Sequence, residues 1–464
     1  MIATEQAAPI PGIEHDDGRT EMANARRLAK AYRRILRYVT TWAKYLVWDG
    51  KRFYVDSTNG AVQRLAKEIV DGLWVDIMTL ANSGNFETRE LEKFISFAKA
   101  SAKRNGIQAT IDLARSEPGM PISHERLDRN PMLFNVSNGI IDLTAGKVRG
   151  HDPADLQTKL APVVFNPAAQ CPIWLSVLNR IMGGRQELVG YLQRASGLSL
   201  TGNVSEHVLF LCYGTGANGK SLFLNTLAAM MGPDYAMKAP ADLLLAKHGE
   251  SHPTEMASLF GMRMVSCIES DDGRRFAEAR VKELTGGDPV TARRMREDFW
   301  TFNPTHKLWM AANHKPIVKG NDHGIWRRMR LIPFTVTIPD AEQDKALPEK
   351  LRAELPGILN WAIQGCLEWQ RGGLQDPDCV LAATAEYRGE QDVIGQFLQD
   401  KCQQGEALEA TASKLYLTYK GWAEQQGEKP ISQRRFGTIM TERGFERFRN
   451  NGIWYRGLDT IPGF

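Results

Sequence analysis

Four short apolar runs punctuate the middle of the chain and are separated by polar stretches and helical patterns. They occupy residues 208–212, 262–268, 307–312 and 329–334. Apolar runs of this length, bounded by polar residues, predict strands that are buried on both faces of a sheet. Residues 222–227, which follow the first run, have a helical pattern instead. The middle of the chain is therefore predicted to be an α/β core.

The part of the chain before this core is predicted to be mainly helical. Apolar residues recur at helical spacing over 24–42, with arginines and lysines between them, which predicts a basic amphipathic helix. Its basic face is either a solvated surface or a contact for phosphates or a partner. Helices are also predicted over 61–80 and 86–116, and a hairpin over 45–55.

The part after the core is predicted to be helical over 343–371. Three shorter helices are then predicted over 393–402, 410–424 and 433–443, followed by a hairpin over 445–456. Three helices followed by a hairpin are typical of a winged helix.

Composition and charge exclude several classes of protein. The chain has 464 residues, a formal net charge of +4 and six cysteines without a C-x-x-C pair. This cysteine spacing argues against a zinc ribbon and a disulfide framework, and the small charge means that any nucleic-acid surface must be local. No signal peptide or membrane-spanning run is apparent, so we expect a soluble, cytoplasmic protein without a membrane partner.

The first apolar run leads into a glycine-rich loop that contains a lysine and a serine. Its residues are Gly214, Thr215, Gly216, Ala217, Asn218, Gly219, Lys220, Ser221 and Leu222. Glycines let backbone N–H groups turn toward phosphates, and the following helix adds the positive end of its dipole. Lys220 can reach the β- and γ-phosphates, and the Ser221 hydroxyl can ligate Mg²⁺. The sequence therefore predicts a site for ATP and Mg²⁺.

Polar residues stand at the ends of the later runs. Glu269 ends the second run, where a carboxylate can hold the Mg²⁺ shell and orient the attacking water. Asn313 ends the third run, and its amide can contact the γ-phosphate and a water. Arg327 and Arg328 precede the fourth run. A basic block between the second and third runs contains Arg293, Arg294 and Arg296.

The order and spacing of these features resemble the superfamily 3 helicases. The phosphate loop, the strand ending in Glu269, a Leu-Thr-Gly-Gly-Asp segment, the strand ending in Asn313 and the arginine pair follow within about 115 residues. The resemblance is strongest to the helicase part of phage and plasmid primase-helicases related to the poxvirus helicase-primase. It extends upstream to 134–143 and 171–174, and downstream to Tyr387-Arg388, Asp392 and Phe397.

The resemblance implies roles for these residues. Gly214, Gly219, Lys220 and Ser221 would bind the nucleotide and Mg²⁺, Glu269 would be the acid of the second motif, and Asn313 would sense the γ-phosphate. Arg327, Arg328 or both would act as an arginine finger in the neighbouring subunit's site, so the active form would be a ring, by family a hexamer. The basic block would line the central channel and track single-stranded or forked DNA.

The predicted fold is α/β: an AAA+-like P-loop ATPase core with a mainly helical N-terminal domain and a C-terminal winged helix. The predicted divisions are a disordered tail (1–18), a pre-helicase collar (19–183), the ATPase core (184–340), a helical linker (341–380) and the winged helix (381–464). Arg434 and Arg435 on the third helix of the winged helix are candidates for contacting duplex DNA; the alternative is a protein-docking module.

The sequence departs from the family pattern at the second motif. Many members have two adjacent acids, whereas Ser270 follows Glu269 and the next acids are Asp271 and Asp272, so the second acid stays open. The roughly 130 residues before the segment 134–143 contain no paired carboxylates for nucleotidyl transfer, so we expect no primase activity and a separate primase or polymerase as a partner.

We therefore predict ATP-driven unwinding or translocation on DNA during replication of a phage, plasmid or other mobile element. Two alternatives remain. One is an ATP-dependent initiator or loader that assembles on DNA without processive unwinding, and the other is a phosphate-loop kinase of small molecules.

Overall fold

The computed structural model describes residues 18–83, 87–246, 253–269, 272–293, 299–318 and 323–461. The predicted disordered tail lies outside these residues, except for Gly18. No helix in the described part of the chain combines the length and apolar character needed to cross a bilayer.

The amino-terminal region combines four helices with two small sheets. Its elements are α1 (Glu21–Tyr32), β1 (Leu36–Val39), β2 (Lys44–Trp48), β3 (Phe53–Val55), α2 (Gly60–Ser83), α3 (Thr88–Ser101), α4 (Arg104–Ala114), β4 (Pro121–Ile122), β5 (Leu133–Val136), β6 (Gly139–Asp142) and β7 (Lys147–Arg149). The first sheet has the order β3-β2-β1-β4, and the second is the meander β5-β6-β7. The predicted hairpin over 45–55 is confirmed as the β2–β3 pair.

Two helix predictions in this region were wrong in extent. The helix predicted over 24–42 ends at Tyr32, and Leu36–Val39 is a strand paired antiparallel with β2. The second half of the predicted helix is rich in β-branched and aromatic residues, which fit the pleated surface of a sheet. Pairing with β2 decides between the helical and the strand periodicity of these residues. The helix predicted over 86–116 is two helices, because the chain turns back before Gly106. A Cβ there would lie 2.6 Å from the Ala100 carbonyl oxygen.

The middle of the chain is the predicted α/β core. Its elements are α5 (Pro172–Ile181), α6 (Gln186–Leu200), β8 (Leu209–Tyr213), α7 (Lys220–Met231), β9 (Ala236–Ala239), α8 (Pro253–Ala257), β10 (Met264–Glu269), α9 (Glu278–Gly286), β11 (Val290–Ala292), β12 (Trp300–Phe302), β13 (Lys307–Ala312), α10 (His323–Trp326) and β14 (Met329–Pro333). The sheet has the order β14-β8-β13-β10-β9, and all four pairings are parallel. The four predicted strands are confirmed, and the edge strand β9 was not predicted.

Burial explains why these runs form the centre of the sheet. Every residue of β13 and all but the last of β8 are buried, as a strand covered by helices on both faces requires. Two buried cations, Arg263 and Lys307, lie at the amino ends of β10 and β13. Arg263, just before β10, donates to the carbonyl oxygens of Pro131, Leu133 and Leu200 at 2.7–3.0 Å. Arg263 therefore ties the sheet to the β5 segment and to the carboxyl end of α6.

The carboxyl-terminal region begins with helices that pack on the core. Its elements are α11 (Leu347–Ala353), α12 (Leu355–Gly372), α13 (Asp378–Glu390), α14 (Val393–Lys401), β15 (Cys402–Thr411), α15 (Ala412–Gln425), α16 (Gln433–Glu442), β16 (Arg447–Arg449) and β17 (Ile453–Thr460). The helix predicted over 343–371 is interrupted at Glu354, whose carboxylate accepts hydrogen bonds from the backbone N–H groups of Ile173 and Trp174 at the start of α5.

Residues 393–461 form a small unit that we call the C-terminal module. Its three predicted helices are present as α14, α15 and α16, and a three-stranded sheet of order β15-β17-β16 covers them. Phe397, Tyr419, Trp422, Phe436 and Tyr455 share its core. The predicted hairpin is the β16–β17 pair, whereas β15 was not predicted because most of its residues are polar and exposed.

Candidate nucleotide-binding site

A loop joins the carboxyl end of β8 to the amino end of α7. It turns with positive φ at Gly216, Ala217 and Gly219, a conformation that glycine adopts without penalty. A Cβ at Gly214 would lie 2.1 Å from the Phe334 carbonyl oxygen, and a Cβ at Gly219 would lie 2.7 Å from Ile181 Cγ2. Glycine is therefore required at both positions by close packing.

The loop is anchored to its surroundings by an amide and by backbone hydrogen bonds. The Asn218 side chain is buried and donates from Nδ2 to the Phe334 carbonyl oxygen at 3.1 Å. The Ala217 carbonyl oxygen accepts from the backbone N–H of Ile338 at 2.7 Å. These bonds fix the loop against the chain that leaves β14, so its backbone N–H groups keep a defined orientation.

Lys220, the first residue of α7, lies at the centre of the site. Its ammonium group donates to the Gly214 carbonyl oxygen at 2.5 Å, to Asn218 Oδ1 at 2.9 Å and to Asn313 Oδ1 at 3.2 Å. Burial lowers the pKa of Lys220, because the charged amine has lost much of its water. None of these three acceptor oxygens carries a formal charge. A bound phosphate would therefore give the ammonium group a negatively charged partner.

A cleft of about 370 Å³ opens beside this lysine. Its lining combines the loop and the start of α7 with the carboxyl ends of two other strands: Gly216, Ala217, Asn218, Gly219, Lys220, Ser221, Leu222, Ile268, Glu269, Ala311 and Asn313. Sites outside the carboxyl ends of parallel strands are where α/β sheets bind ligands. The structure thus brings the predicted residues Lys220, Ser221, Glu269 and Asn313 to one cleft.

The cleft offers the oxygen ligands that Mg²⁺ prefers. The Ser221 hydroxyl is exposed at the start of α7, and Glu269 ends β10 on the same edge of the sheet. Glu269 is only 6% exposed, and Arg274 Nη1 lies 3.6 Å from its carboxylate. Arg274 was not identified from the sequence, because nothing in its spacing indicates that the chain folds back to the end of β10. Asp271, a candidate second acid, lies outside the described residues, and Asp272 lies 3.8 Å from His314.

The arginine pair lies at the opposite edge of the sheet. The Arg328 carbonyl oxygen accepts from the N–H of Leu209, the first residue of β8, at 2.7 Å. Five residues of strand, about 15 Å, separate this point from the loop that follows β8. Arg327 is exposed and has no ion pair with any residue of the described part, whereas Arg328 is half-buried and donates to the Gly324 carbonyl oxygen at 2.7 Å. The structure does not bring either arginine into the cleft of its own chain.

The strands β11 and β12 form a two-stranded hairpin, and Arg293, the first residue of the basic block, directly follows β11. The base of the hairpin packs against the amino-terminal region, where His124 Nε2 lies 2.8 Å from the Thr301 carbonyl oxygen and the rings of Trp42 and Trp300 meet edge to face. Arg293 lies over the Phe299 ring at 4.8 Å. Arg294 and Arg296 lie outside the described residues.

The C-terminal module contains six arginines between residues 431 and 456, and the structure divides them into two groups. Arg443 pairs with Asp392, and Arg456 pairs with Glu409 and Glu446. The other four are exposed and make no ion pair within the described ranges: Arg434 and Arg435 on α16, and Arg447 and Arg449 on β16.

Two of these four arginines lie on the side of the β16–β17 hairpin that faces α16, the helix that carries the other two. Tyr455 lies opposite Arg447 in the β16–β17 pair, and its hydroxyl donates to the Gly437 carbonyl oxygen of α16 at 3.2 Å. Residues paired across a hairpin point to the same side, so Arg447 and Arg449 lie on the side of the hairpin that faces α16. Arg456 lies on the other side, over the Phe448 ring. We call the surface formed by the four arginines the cationic face.

Two family models match separate parts of the chain. Residues 25–183 match the family described as D5 N terminal like, and residues 212–328 match a family of unknown function (DUF5906). Together with the viral relatives, these matches confirm the predicted resemblance to the superfamily 3 helicases of the primase-helicase type.

The relatives come from large DNA viruses. The chain is 27% identical over 298 residues to the protein named Putative helicase L207/L206 of Acanthamoeba polyphaga mimivirus, covering 59% of this chain and 31% of that protein. It is 24% identical over 328 residues to Putative primase C962R of African swine fever virus, covering 64% and 34%. The chain thus spans about a third of the length of these curated relatives.

A solved structure shares the fold. The apo structure of the NrS-1 C terminal region superposes with a TM-score of 0.50, covering 92% of this chain and 96% of that chain at 10% sequence identity. At this identity the likeness concerns the fold alone.

Proposed function

We propose that this chain is an ATP-dependent DNA helicase or translocase that acts in the replication of a virus, plasmid or other mobile element. The observation that carries the proposal is the cleft in which Lys220, Ser221, Glu269 and Asn313 converge at the carboxyl edge of a parallel sheet. The names of the viral relatives, which are called helicases and primases, support the same function.

The residues of the cleft divide the work of ATP hydrolysis. The loop N–H groups and Lys220 would bind the phosphates, and Ser221 and Glu269 would hold Mg²⁺, which would supply positive charge against the negative charge that develops during transfer. Glu269 also orients the attacking water. Asn313 Oδ1 accepts from the lysine ammonium group at 3.2 Å, a position from which the Nδ2 group of the same amide can donate to a γ-phosphate that the lysine binds. Phosphoryl transfer needs positioning and charge neutralisation more than covalent catalysis, and these groups supply both.

The positions of Arg327 and Arg328 support a site that is shared between subunits. Neither can reach the cleft of its own chain, because they lie at the opposite edge of the sheet. In a ring, that edge of one subunit can face the carboxyl edge of the next. We therefore propose a ring, by family a hexamer, in which the exposed Arg327, the neighbouring Arg328 or both complete the neighbour's site.

Two surfaces are proposed to bind DNA. The β11–β12 hairpin, with Arg293, Arg294 and Arg296, tracks the backbone in the channel, where phosphate contacts without base readout suit a motor. The C-terminal module is proposed to be a winged helix, which its order of helix, strand, two helices and hairpin supports. Its cationic face, with Arg434 and Arg435 on α16, would hold duplex DNA.

We propose the same domain limits that the sequence predicts. They are a collar (19–183), an AAA+-like ATPase core (184–340), a helical linker (341–380) and the winged helix (381–464).

A strand-displacement assay tests the function. We expect the purified chain with ATP and Mg²⁺ to separate a forked DNA, and Lys220→Ala to abolish the activity. The cationic face also fits a second function, an initiator or loader that assembles on duplex DNA without processive unwinding. DNA-stimulated ATP hydrolysis without strand displacement would favour that second function, and hydrolysis that is indifferent to DNA would contradict both.

A further inference from the structure

The predicted resemblance extends to Tyr387, Asp392 and Phe397, which the nucleotide cleft does not use. All three lie where α13 leads into the C-terminal module. Tyr387 is completely buried near the end of α13, Asp392 caps α14, and Phe397 packs in the core of the module. These residues therefore mark a structural junction between the sheet and the module.

The junction is bound directly to the segment that follows Asn313. We call residues 315–318 the sensor segment. Three contacts join it to the end of α13: Lys315 Nζ lies 2.8 Å from both carboxylate oxygens of Glu390, the Tyr387 hydroxyl donates to the Pro316 carbonyl oxygen, and the Val318 N–H donates to Gln391 Oε1 at 3.0 Å. Contacts at three positions restrict the segment far more than one ion pair would.

The sensor segment also contacts Tyr213, the last residue of β8, which directly precedes the glycine-rich loop. The Lys315 ammonium group lies 5.2 Å from the centre of the Tyr213 ring and 5.6 Å from that of Tyr387. Tyr213 immediately precedes Gly214, and Asn313 is two residues before Lys315. A cation between two aromatic rings is attracted to both faces. Lys315 thus links the end of β8, the end of β13 and α13.

The path from α13 into the module is hydrogen-bonded at each step. The Thr384 hydroxyl of α13 accepts from the N–H of Leu331, which fixes the helix to β14. Asp392 then donates its own N–H to the Gly389 carbonyl oxygen at 3.1 Å and accepts from the N–H of Gly395 at 2.9 Å. The same carboxylate pairs with Arg443, at the end of α16. No free linker therefore separates the sensor segment from the helix that carries Arg434 and Arg435.

We propose that the sensor segment and the carboxyl end of α13 couple the nucleotide state at Asn313 to the affinity of the C-terminal module for duplex DNA. The inference rests on the proposed function, in which Asn313 contacts the γ-phosphate and the cationic face holds DNA. Lys315, Tyr387 and Glu390 act as positioning residues. A γ-phosphate competes with Asn313 Oδ1 for the Lys220 ammonium group and can accept from the Asn313 Nδ2 group. The resulting shift of the sensor segment moves α13 and, through Asp392, the end of α16.

Thermodynamic linkage makes the coupling reciprocal. If the nucleotide changes the affinity for DNA by some factor, DNA must change the affinity for the nucleotide by the same factor. The affinity for the nucleotide, measured with and without DNA, is therefore a second readout of the coupling.

The experiment measures duplex binding by the full chain in two nucleotide states. A short fluorescent DNA duplex is titrated in ADP and in a non-hydrolysable ATP analogue, both with Mg²⁺, for wild type, Glu390→Gln and Tyr387→Phe. We expect the two wild-type dissociation constants to differ by a factor of about 5 to 150, the usual range of allosteric coupling. Both variants should reduce that factor to below about 2 while still binding DNA and nucleotide.

Glu386→Gln is the matched control. Glu386 is exposed on the same helix and makes no ion pair in the described part of the chain, so this variant removes the same charge and should keep the full factor. Glu390 is exposed, so we expect Glu390→Gln to fold normally. This variant therefore tests the coupling even if Tyr387→Phe, at a buried position, does not fold.

The outcomes separate the coupling from the proposed function. Variants that keep the wild-type factor would overturn the coupling, and so would a wild type that binds both ligands with no difference between nucleotides, although the proposed function would stand. A wild type that binds no nucleotide or no duplex would overturn both.

Discussion

Replacing Gly214 by alanine should disable the site through geometry alone, without removing any polar group. The added Cβ would lie 2.1 Å from the Phe334 carbonyl oxygen and 2.3 Å from Asn218 Nδ2. Normal contact needs more than about 3 Å, so the loop and the chain after β14 must separate by about 1 Å. That separation also stretches the 3.1 Å hydrogen bond from Asn218 to Phe334, which fixes the loop.

A displacement of about 1 Å in a positioned reactive group costs about 100-fold in rate, or roughly 2.7 kcal/mol. We therefore expect Gly214→Ala to lower kcat/KM for ATP by about 100-fold or more in a steady-state ATPase assay. Gly421→Ala on α15 is the matched control, because a Cβ there meets nothing within 4 Å. It should keep full activity and gain about 0.5–1 kcal/mol of stability. Gly214→Ala with wild-type kcat/KM would refute the close approach of loop and strand.

Three further predictions concern charge. Burial lowers the pKa of Lys220, so its amine loses its proton below the usual pKa of 10.5. The affinity for MgATP should therefore fall as the pH rises through that lowered pKa. Titration calorimetry at several pH values should show this fall in wild type and not in Lys220→Ala. Arg263→Met should lower the free energy of unfolding in urea by about 2 kcal/mol or more, because the carbonyl oxygens of Leu133 and Leu200 lose a buried donor; a loss under about 1 kcal/mol would contradict this. Arg434→Gln with Arg435→Gln should weaken duplex binding and reduce its logarithmic salt slope by about 2, whereas Arg456→Gln, on the other side of the hairpin, should leave the slope unchanged.

The elements that were predicted well are those in which one physical requirement dominates. The strands β8, β10, β13 and β14 are largely buried, so each reads as a mainly apolar run. The loop between β8 and α7 was predicted from its glycines, lysine and serine at fixed positions, and its role in binding phosphates stays a prediction. Parallel strands align their carboxyl ends, so the meeting of Lys220, Glu269 and Asn313 followed from the strand order.

The features that were missed depend on contacts between distant parts of the chain. The strand β1 has a helical apolar spacing, and only its pairing with β2 decides its conformation. The strand β15 is polar and exposed because it covers the module from outside. The ion pair between Lys315 and Glu390 joins residues 75 positions apart, and no local pattern indicates it.

The central claim is that each ATP site takes its lysine from one subunit and its arginine from the next. The direct test is ATP hydrolysis in the presence of single-stranded DNA by Lys220→Ala, by the double variant Arg327→Ala with Arg328→Ala, and by an equal mixture of the two. We expect both variants to be inactive and the mixture to recover up to about a quarter of wild-type turnover, because half of the sites keep the lysine and half of those face an intact arginine pair. A mixture as inactive as its components, or an active arginine variant, would contradict the shared site.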